Sequence, residues 1–422
     1  MNSINDQFLT ILNEELIPAM GCTEPIAIAY LSSYARDLLG SIPRKVVIEV
    51  SGNVLKNVKS VVVPNTDQLR GIQAACAAGF VFGDTAKQLQ VISTAKPGTQ
   101  KKIRDFLVDC PIKVEASESP YIFDLFLHAY SETDEVHVRI LHYHTNIVYA
   151  RKNDTVLIDE PCEKAKEDVC DKSLLNVENI VEYAKTANLD PVIPLLDRQI
   201  RYNMAIAEEG LKNDYGCNIG KILLEQRPDD LVTKMKAYAA AGSDARMNGC
   251  EMPVVIVSGS GNQGITTSVP VIVYAKEQEF SEEDLYRALL VSNLVTTHQK
   301  QGIGRLSAFC GACSAGVGAG AGIAFLETKS FHAVAHTIVN ALGIIPGMVC
   351  DGAKASCAAK IQAAIDAGYL GFLMYSHNEE FKDGDGLIVK GVENTIENIS
   401  CLAREGMKET DKEIIKMMIK NC

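Results

Sequence analysis

Two cysteines lie seven residues apart in the stretch PGMVCDGAKASC, and an Asp-Gly turn follows the first of them, Cys350. The spacing to Cys357 matches neither the CxxC pairs of zinc sites nor those of thioredoxin-like redox sites. A third thiol, Cys310, stands forty residues earlier and precedes a glycine. Backbone N–H groups in such Gly-rich turns favour the thiolate, which is the form that binds metals. Three thiolates are too few for a closed zinc site, but they suit an iron–sulfur cluster with one iron left open.

A fourth cysteine, Cys22, lies in the stretch GCTEP just before a predicted helix start, with Glu24 beside it. A helix dipole lowers the pKa of a thiol in that position, which makes Cys22 a candidate for chemistry. A thiol packed in the core near the helix cap explains the same pattern equally well. Cys313 forms a CxxC pair with Cys310, but no second pair follows at zinc-finger spacing, so we expect a buried structural thiol there.

Two glycine-rich loops could hold an anion. The stretch VSGSGNQG at 257–264 follows a predicted strand and is typical of a backbone cradle for a carboxylate, or for the phosphate of pyridoxal phosphate. It lacks the GK[ST] end of a P-loop. The stretch EVSGNVLKN at 49–57 repeats the strand and Ser-Gly-Asn pattern. Either loop by itself is better explained as an ordinary tight turn, so Asn53 and Asn262 are candidates by type and position only.

Three cations lie close to these motifs. Lys300 and Arg305 shortly precede the first of the three thiols, and Lys354 lies in the turn between the other two. They are either surface charges or groups that bind a substrate carboxylate beside the cluster.

The composition limits the class of protein. The chain has 422 residues and a net charge of −12, and we see no basic patch, which argues against nucleic-acid binding. The 13 cysteines, an odd number, argue against a disulfide framework. The N-terminal residues lack a signal-peptide pattern, and no apolar stretch reads as a membrane span. We therefore expect a cytoplasmic protein that does not bind membranes.

The pattern of apolar and turn-forming residues predicts two structural units. Both ends of the chain, 1–40 and 173–422, are predicted to be helical. The segment between them has predicted helices at 67–80 and 97–108 and several β-rich runs. These runs are 45–52, 59–64, 90–95, 112–117, 136–153 and 155–159. We therefore predict an α+β protein, with a mainly helical cluster-binding domain and an inserted mixed α/β domain at 41–172.

Taken together, the motifs resemble one family. GCTEP, SGN, SGSGNQG, GRLSAFCGA and GMVCDGAKASC are similar to the motifs of L-cysteine desulfidases, which are relatives of the iron–sulfur L-serine dehydratases. The resemblance implies a [4Fe–4S] enzyme that converts L-cysteine to hydrogen sulfide, ammonia and pyruvate without pyridoxal phosphate. It also implies that Cys310, Cys350 and Cys357 are the cluster ligands. The dehydratases have a longer segment between the last two ligands, so Cys22 remains an alternative third ligand.

The implied reaction is a β-elimination in which the open iron acts as a Lewis acid. A base must remove the α-proton, and a group with a pKa near neutral does this best. Cys22 as thiolate is the candidate base, and a role as ligand or sulfur relay stays open. The candidates for holding the substrate carboxylate and amine are Asn53, Asn262, Lys300, Arg305 and Lys354.

The last residue, Cys422, is also a thiol. In some related dehydratases a C-terminal cysteine reaches the open iron, but an incidental thiol in a frayed tail is the simpler explanation here.

Three other functions are compatible with the same motifs. They are an iron–sulfur L-serine dehydratase, a pyridoxal-phosphate amino-acid lyase and a non-enzymatic sensor or scaffold that binds a labile cluster. The expected partner is the small molecule L-cysteine, and a homodimer is one assembly that the chain could form.

Overall fold

The computed structural model describes residues 4–162, 172–304 and 306–420, so Cys422 and Arg305 lie outside the described residues. Its α-helices are α1 (Ile4–Glu15), α2 (Thr23–Leu39), α3 (Gly52–Val58), α4 (Gly71–Phe82), α5 (Thr99–Asp109), α6 (Val177–Thr186), α7 (Ile193–Lys212), α8 (Ile219–Gln226), α9 (Leu231–Met247), α10 (Gly261–Glu277), α11 (Glu282–Ile303), α12 (Gly311–Thr328), α13 (Phe331–Ile344), α14 (Cys357–Ser376), α15 (Val392–Cys401) and α16 (Lys408–Lys420). Its strands are β1 (Pro18–Met20), β2 (Lys45–Val50), β3 (Ile112–Ala116), β4 (Asp124–Tyr130), β5 (Glu135–Leu141), β6 (Ile147–Lys152), β7 (Thr155–Asp159) and β8 (Pro253–Val255).

The predicted class is confirmed, because the protein is α+β and mainly helical. In the described part of the chain, one mixed sheet has the strand order β3-β2-β4-β5-β6-β7. Its β2–β3 pair is parallel and its other pairs are antiparallel. The helix α2, which precedes the sheet in the chain, packs against β4, β5 and α4. Among the described helices, none is both long and apolar enough to cross a membrane.

Two of the predicted β-rich runs are wrong. The structure describes 59–64 and 90–95 in full, and neither contains a strand. The first pairs only through an isolated bridge between Val62 and Arg70, and the second follows a 3-10 turn at Thr85–Gln90. Their valines and isoleucine are buried, so these residue types reflect burial and not an extended backbone. The other four runs contain β2, β3, β5, β6 and β7, and the two predicted helices are α4 and α5.

A small ladder pairs two segments that are far apart in the sequence. β1 and β8 are antiparallel, with Pro18 opposite Val255. β1 leads into α2, and β8 leads into α10. At the start of α2, Thr23 Oγ1 donates a hydrogen bond to the Gly259 carbonyl oxygen at 3.0 Å. The N-termini of α2 and α10 are therefore held side by side.

Helices α12 and α14 pack with their backbones in contact. A Cβ on Gly316 would lie 2.3 Å from the Ala364 carbonyl oxygen, and a Cβ on Gly320 would lie 2.2 Å from that of Gly368. The contact advances by four residues along both helices, so they run in the same direction. Only glycine permits so close an approach between two backbones. The two helices therefore begin at the same end of the pair.

We expect Gly320→Ala to lower the free energy of unfolding by about 1–3 kcal/mol. Alanine is the better helix former by about 1 kcal/mol, but its Cβ would overlap the Gly368 carbonyl oxygen and push the helices apart. Urea unfolding followed by circular dichroism measures the change. The control is Leu370→Ala on the exposed face of α14, with an expected change within about 0.5 kcal/mol. A Gly320 variant as stable as the wild type would contradict the close contact.

Candidate cysteine-lined active site

Four of the described helices begin at one cavity. Its lining includes residues from the first turns of α2, α10, α12 and α14. Each helix has between 17 and 20 residues. A helix N-terminus presents unpaired N–H groups and a partial positive charge. The cavity is therefore suited to hold negatively charged groups.

Cys310 and Cys350 come together through a short antiparallel bridge between their segments. The Cys310 N–H donates to the Met348 carbonyl oxygen at 2.8 Å, and the Cys350 N–H donates to that of Ala308 at 2.6 Å. Cys310 also occupies the N-cap position of α12. The bridge therefore fixes two of the three predicted ligand thiols at one wall of the cavity.

The Asp351-Gly352 turn places the third thiol. Gly352 has a φ of +93°, and a Cβ there would lie 2.2 Å from the Lys56 carbonyl oxygen, so this position requires glycine. Asp351 pairs with Lys354 Nζ at 2.5 Å, which holds the turn closed. α14 then begins at Cys357, whose Sγ lies 3.8 Å from the Gly352 carbonyl oxygen.

The three thiols differ in acidity. A hydrogen bond from Cys310 to Cys350 lowers the pKa of Cys350 to about 6 and raises the pKa of Cys310. Burial raises the pKa of Cys357. Thiols must be deprotonated to bind a metal, so metal binding at this site would release protons and strengthen as the pH rises.

The donor set fits a cluster better than a single metal ion. In the described part of the chain, no three His, Cys, Asp or Glu side chains converge closely enough to hold one ion. Cys310, Cys350 and Cys357 nevertheless line the same cavity. In a [4Fe–4S] cluster each thiolate binds a different iron, so the ligands lie further apart than at a mononuclear site. These residues therefore fit a cluster with three thiolate ligands.

Cys22 lies in the same cavity, and its thiol is hydrogen-bonded to Glu24. Cys22 Sγ donates to Glu24 Oε2 at 3.0 Å, and Asn57 Nδ2 donates to Glu24 Oε1 at 3.1 Å. Burial and the Glu24 carboxylate hold the pKa of the Cys22 thiol well above its usual range. The expectation that the helix start lowers this pKa is therefore wrong, because desolvation outweighs the dipole. Cys22 is a protonated donor at neutral pH.

Glu24 is ionised although it is buried. Burial opposes ionisation, but the charge of His144, the hydrogen bond from Cys22 and the charge of Arg246 together lower the pKa of the carboxyl group. A folded-state pKa below the unfolded one means that ionisation of Glu24 stabilises the fold above the unfolded pKa. This contribution is lost as the pH falls through the folded value. Glu24 is therefore an anion at pH 7.

The predicted substrate-binding residues are only partly gathered here. Asn262 and Lys300 line the cavity. Asn53 lines a neighbouring pocket, and Lys354 Nζ donates to carbonyl oxygens of its own turn. Arg305 is not among the described residues.

Three further lining residues escaped the sequence analysis: Arg246, Asn57 and Gln263. Arg246 is a charged residue in the small-residue run AAAGSDARM, and a charge in a run that must pack closely is the signal that could have found it. Asn57 follows Asn53 by one turn of α3, which the strand-and-turn interpretation of 49–57 did not anticipate. Cys313 is fully buried within α12, as expected of a structural thiol.

Comparison with known proteins relates most of the chain to one family. The profile of the serine dehydratase alpha chain family matches residues 68–416, which include the three predicted ligand thiols. A UPF0597 protein of Desulfitobacterium hafniense is 53% identical over 416 residues, covering 98% of this chain and 97% of that protein. UPF0597 proteins of Finegoldia magna and Treponema denticola are 47% and 42% identical, and each alignment covers at least 98% of this chain and 99% of the relative.

We expect Glu24→Gln to lower the pKa of Cys22, because loss of a negative neighbour favours the thiolate. The pH dependence of iodoacetamide labelling measures this in the metal-free protein, with the Cys22 peptide quantified by mass spectrometry. The labelling midpoint should move to lower pH. Glu225→Gln, at an exposed position of α8, is the control and should leave the midpoint in place. An unmoved midpoint in the Glu24 variant would mean that burial alone sets the acidity of Cys22.

Proposed function

The chain belongs to the serine dehydratase alpha chain family, and we propose that it is an L-cysteine desulfidase, a carbon–sulfur lyase that uses a [4Fe–4S] cluster. The family is one of iron–sulfur-dependent enzymes of the dehydratase type. The cluster type, the substrate L-cysteine and a cytoplasmic location are parts of the proposal. The choice of L-cysteine is supported by the motifs that resemble those of L-cysteine desulfidases.

One observation carries the proposal. Cys22, Cys310, Cys350 and Cys357 line a single cavity, although the first and last are 335 positions apart in the chain. Three thiols in this arrangement supply the ligands of a cluster with an open iron, and the fourth remains for proton transfer.

Cys310, Cys350 and Cys357 would hold the cluster as thiolates. The N-termini of α12 and α14 stabilise negative charge on the first and last of them. When bound, the cluster supplies a Lewis acid at an iron that has no protein ligand. Cys22 donates a hydrogen bond to Glu24 and stays protonated before the reaction, which favours Cys357 over Cys22 as the third ligand.

Cys22 is the proposed base for the α-proton of the substrate. Its own proton must leave first, and Glu24 Oε2, at 3.0 Å, is placed to accept it. This transfer is uphill, because the pKa of Cys22 is raised and that of Glu24 is lowered. The Cys22 thiolate is therefore short-lived, and the nearby charge of Arg246 favours its formation.

The reaction converts L-cysteine and water to hydrogen sulfide, ammonia and pyruvate. The base takes the α-proton, and the bond between Cβ and sulfur breaks with its electron pair going to sulfur. The aminoacrylate that remains tautomerises to an imine. Water then hydrolyses the imine to ammonia and pyruvate, with little need for help from the protein.

L-Serine dehydration is the second candidate, and the family match is the observation that favours it. The same residues would then act on a substrate with a hydroxyl leaving group. A pyridoxal-phosphate lyase would need a lysine to hold the cofactor, and Lys300 is a lysine that lines the cavity. A cluster-binding sensor would need no substrate.

We expect the anaerobically reconstituted protein to have a broad brown absorption and to release sulfide and pyruvate in equal amounts from L-cysteine. L-Serine is assayed in parallel for pyruvate. A higher kcat/KM for L-serine would assign the dehydratase activity instead. A discrete yellow absorption band of pyridoxal phosphate would overturn both assignments. An intact cluster without turnover of either amino acid would favour the cluster-binding sensor.

We expect alanine in place of Cys310, Cys350 or Cys357 to abolish the binding of iron, because each change removes one of three ligands. Cys313→Ala is the matched control, since this thiol is buried within α12, and it should retain iron. Cys22→Ser should retain iron and lose turnover by about 100-fold or more. Iron content and the cluster absorption measure the first effect. Iron lost in the Cys22 variant but kept in the Cys357 variant would make Cys22 the third ligand.

A further inference from the structure

Arg246 is a buried guanidinium with unused hydrogen-bond donors. It lies in the last turn of α9, lines the cavity and exposes only 2% of its surface. Its Nη1 donates to Asn262 Oδ1 at 3.1 Å. Its Nε and Nη2 are buried and have no hydrogen-bond partner among the described residues. The donor face of this side chain is therefore available to a ligand in the cavity.

Fold stability alone does not explain such an arginine. A buried charge loses its hydration, and each unpaired donor also forgoes a hydrogen bond. Arginine does not escape this cost by deprotonation, because its guanidinium stays charged in proteins. Glu24 is the nearby anion, but its two oxygens accept from Cys22 and Asn57. An anionic ligand would satisfy the guanidinium.

The position of Arg246 supports the same conclusion. A Cβ on Gly261 would lie 2.3 Å from Arg246 Nε, so the guanidinium rests against the first turn of α10. In that turn, the Ser260 side chain makes no capping hydrogen bond. A planar guanidinium beside free backbone N–H groups of a helix start is well suited to a carboxylate.

The same cavity also presents unused acceptors. Asn57 Oδ1 and Gln263 Oε1 are buried and have no hydrogen-bond partner in the described part of the chain. Both residues line the cavity with Arg246. A ligand that satisfies this set must carry an anionic group for the arginine and a donor group for the two amides. An α-amino acid zwitterion carries both.

We propose that Arg246 binds the α-carboxylate of an amino-acid substrate and that the side-chain oxygens of Asn57 and Gln263 accept hydrogen bonds from its α-ammonium group. Arg246 is then the residue that selects α-amino acids over simple amines and thiols. This inference rests on the proposed function for the identity of the reaction, but it does not depend on which leaving group is expelled.

The test measures binding without turnover, by calorimetry on the anaerobic holoprotein. L-Alanine has no leaving group on Cβ, propionate lacks the ammonium group and ethylamine lacks the carboxylate. We expect L-alanine to bind more tightly than either fragment. If the wild type binds ethylamine as tightly as L-alanine, or binds no L-alanine, the proposed carboxylate site does not exist.

Variants then assign the binding to the arginine. Arg246→Gln should weaken the binding of L-alanine and of propionate by about 10- to 100-fold, because charge-assisted hydrogen bonds are lost. Ethylamine should bind to this variant equally well or more tightly, because the positive charge that repels it is gone. General damage to the cavity would instead weaken the binding of all three ligands. Arg246→Lys keeps the charge but not the planar fork of donors. Its affinity for L-alanine should therefore lie between those of the wild type and Arg246→Gln. Arg227→Gln, at an exposed position, is the control.

Iron content and circular dichroism confirm that each variant is folded and loaded, and Arg246→Lys carries the test if the glutamine variant does not fold. Unchanged L-alanine affinity in a loaded Arg246 variant would overturn the proposal. Arginine-dependent binding of L-alanine in a protein that turns over neither L-cysteine nor L-serine would uphold this site and reject the proposed function.

Discussion

The parallel contact between α12 and α14 is the constraint on which the site depends. Because the backbones touch at Gly316 and again at Gly320, sliding one helix along the other would bring residues with side chains into these contacts and cause a clash. Their N-termini therefore open at the same place, with Cys310 before one helix and Cys357 at the start of the other. The bridge that pairs the segments of Cys310 and Cys350 adds the middle thiol. Small residues in the final third of the chain thus position the three predicted ligand thiols.

The convergence of helix N-termini has an electrostatic consequence. Each start adds partial positive charge, and buried cations add more. Lys56, with 1% of its side chain exposed, is paired with Asp411 of α16 at 2.5 Å, and its charge still lowers the pKa of Cys350. The buried Glu24 carboxylate contributes negative charge that partly offsets this positive potential. The cavity therefore favours negatively charged groups, while burial keeps the Cys22 thiol protonated.

The four cysteines singled out from the sequence line one cavity, but most of their neighbours there could not be predicted from it. Cys310, Cys350 and Cys357 lie near glycine-containing turns, and this local pattern can be recognised in the sequence without knowledge of the fold. Cys22 joins them through the β1–β8 ladder, and pairing between segments so distant has no local signature. The runs at 59–64 and 90–95 were misassigned because β-branched residues are favoured by burial as well as by strands. Arg246 was missed because its role depends on α9 meeting the start of α10, which only the packing reveals.

The two proposals constrain each other through Cys22. The Cys22 thiol and Asn57 Nδ2 bond to the two oxygens of the same Glu24 carboxylate, so the proposed ammonium site at Asn57 lies beside the proposed base. A cationic ammonium there lowers the pKa of Cys22, whereas a carboxylate that neutralises Arg246 removes a charge that also lowers it. On substrate binding, the ammonium group thus replaces Arg246 as the positive charge that lowers the pKa of Cys22. In the proposed arrangement the α-carbon, bonded to both groups, lies between Arg246 and Asn57, in the cavity that Cys22 also lines.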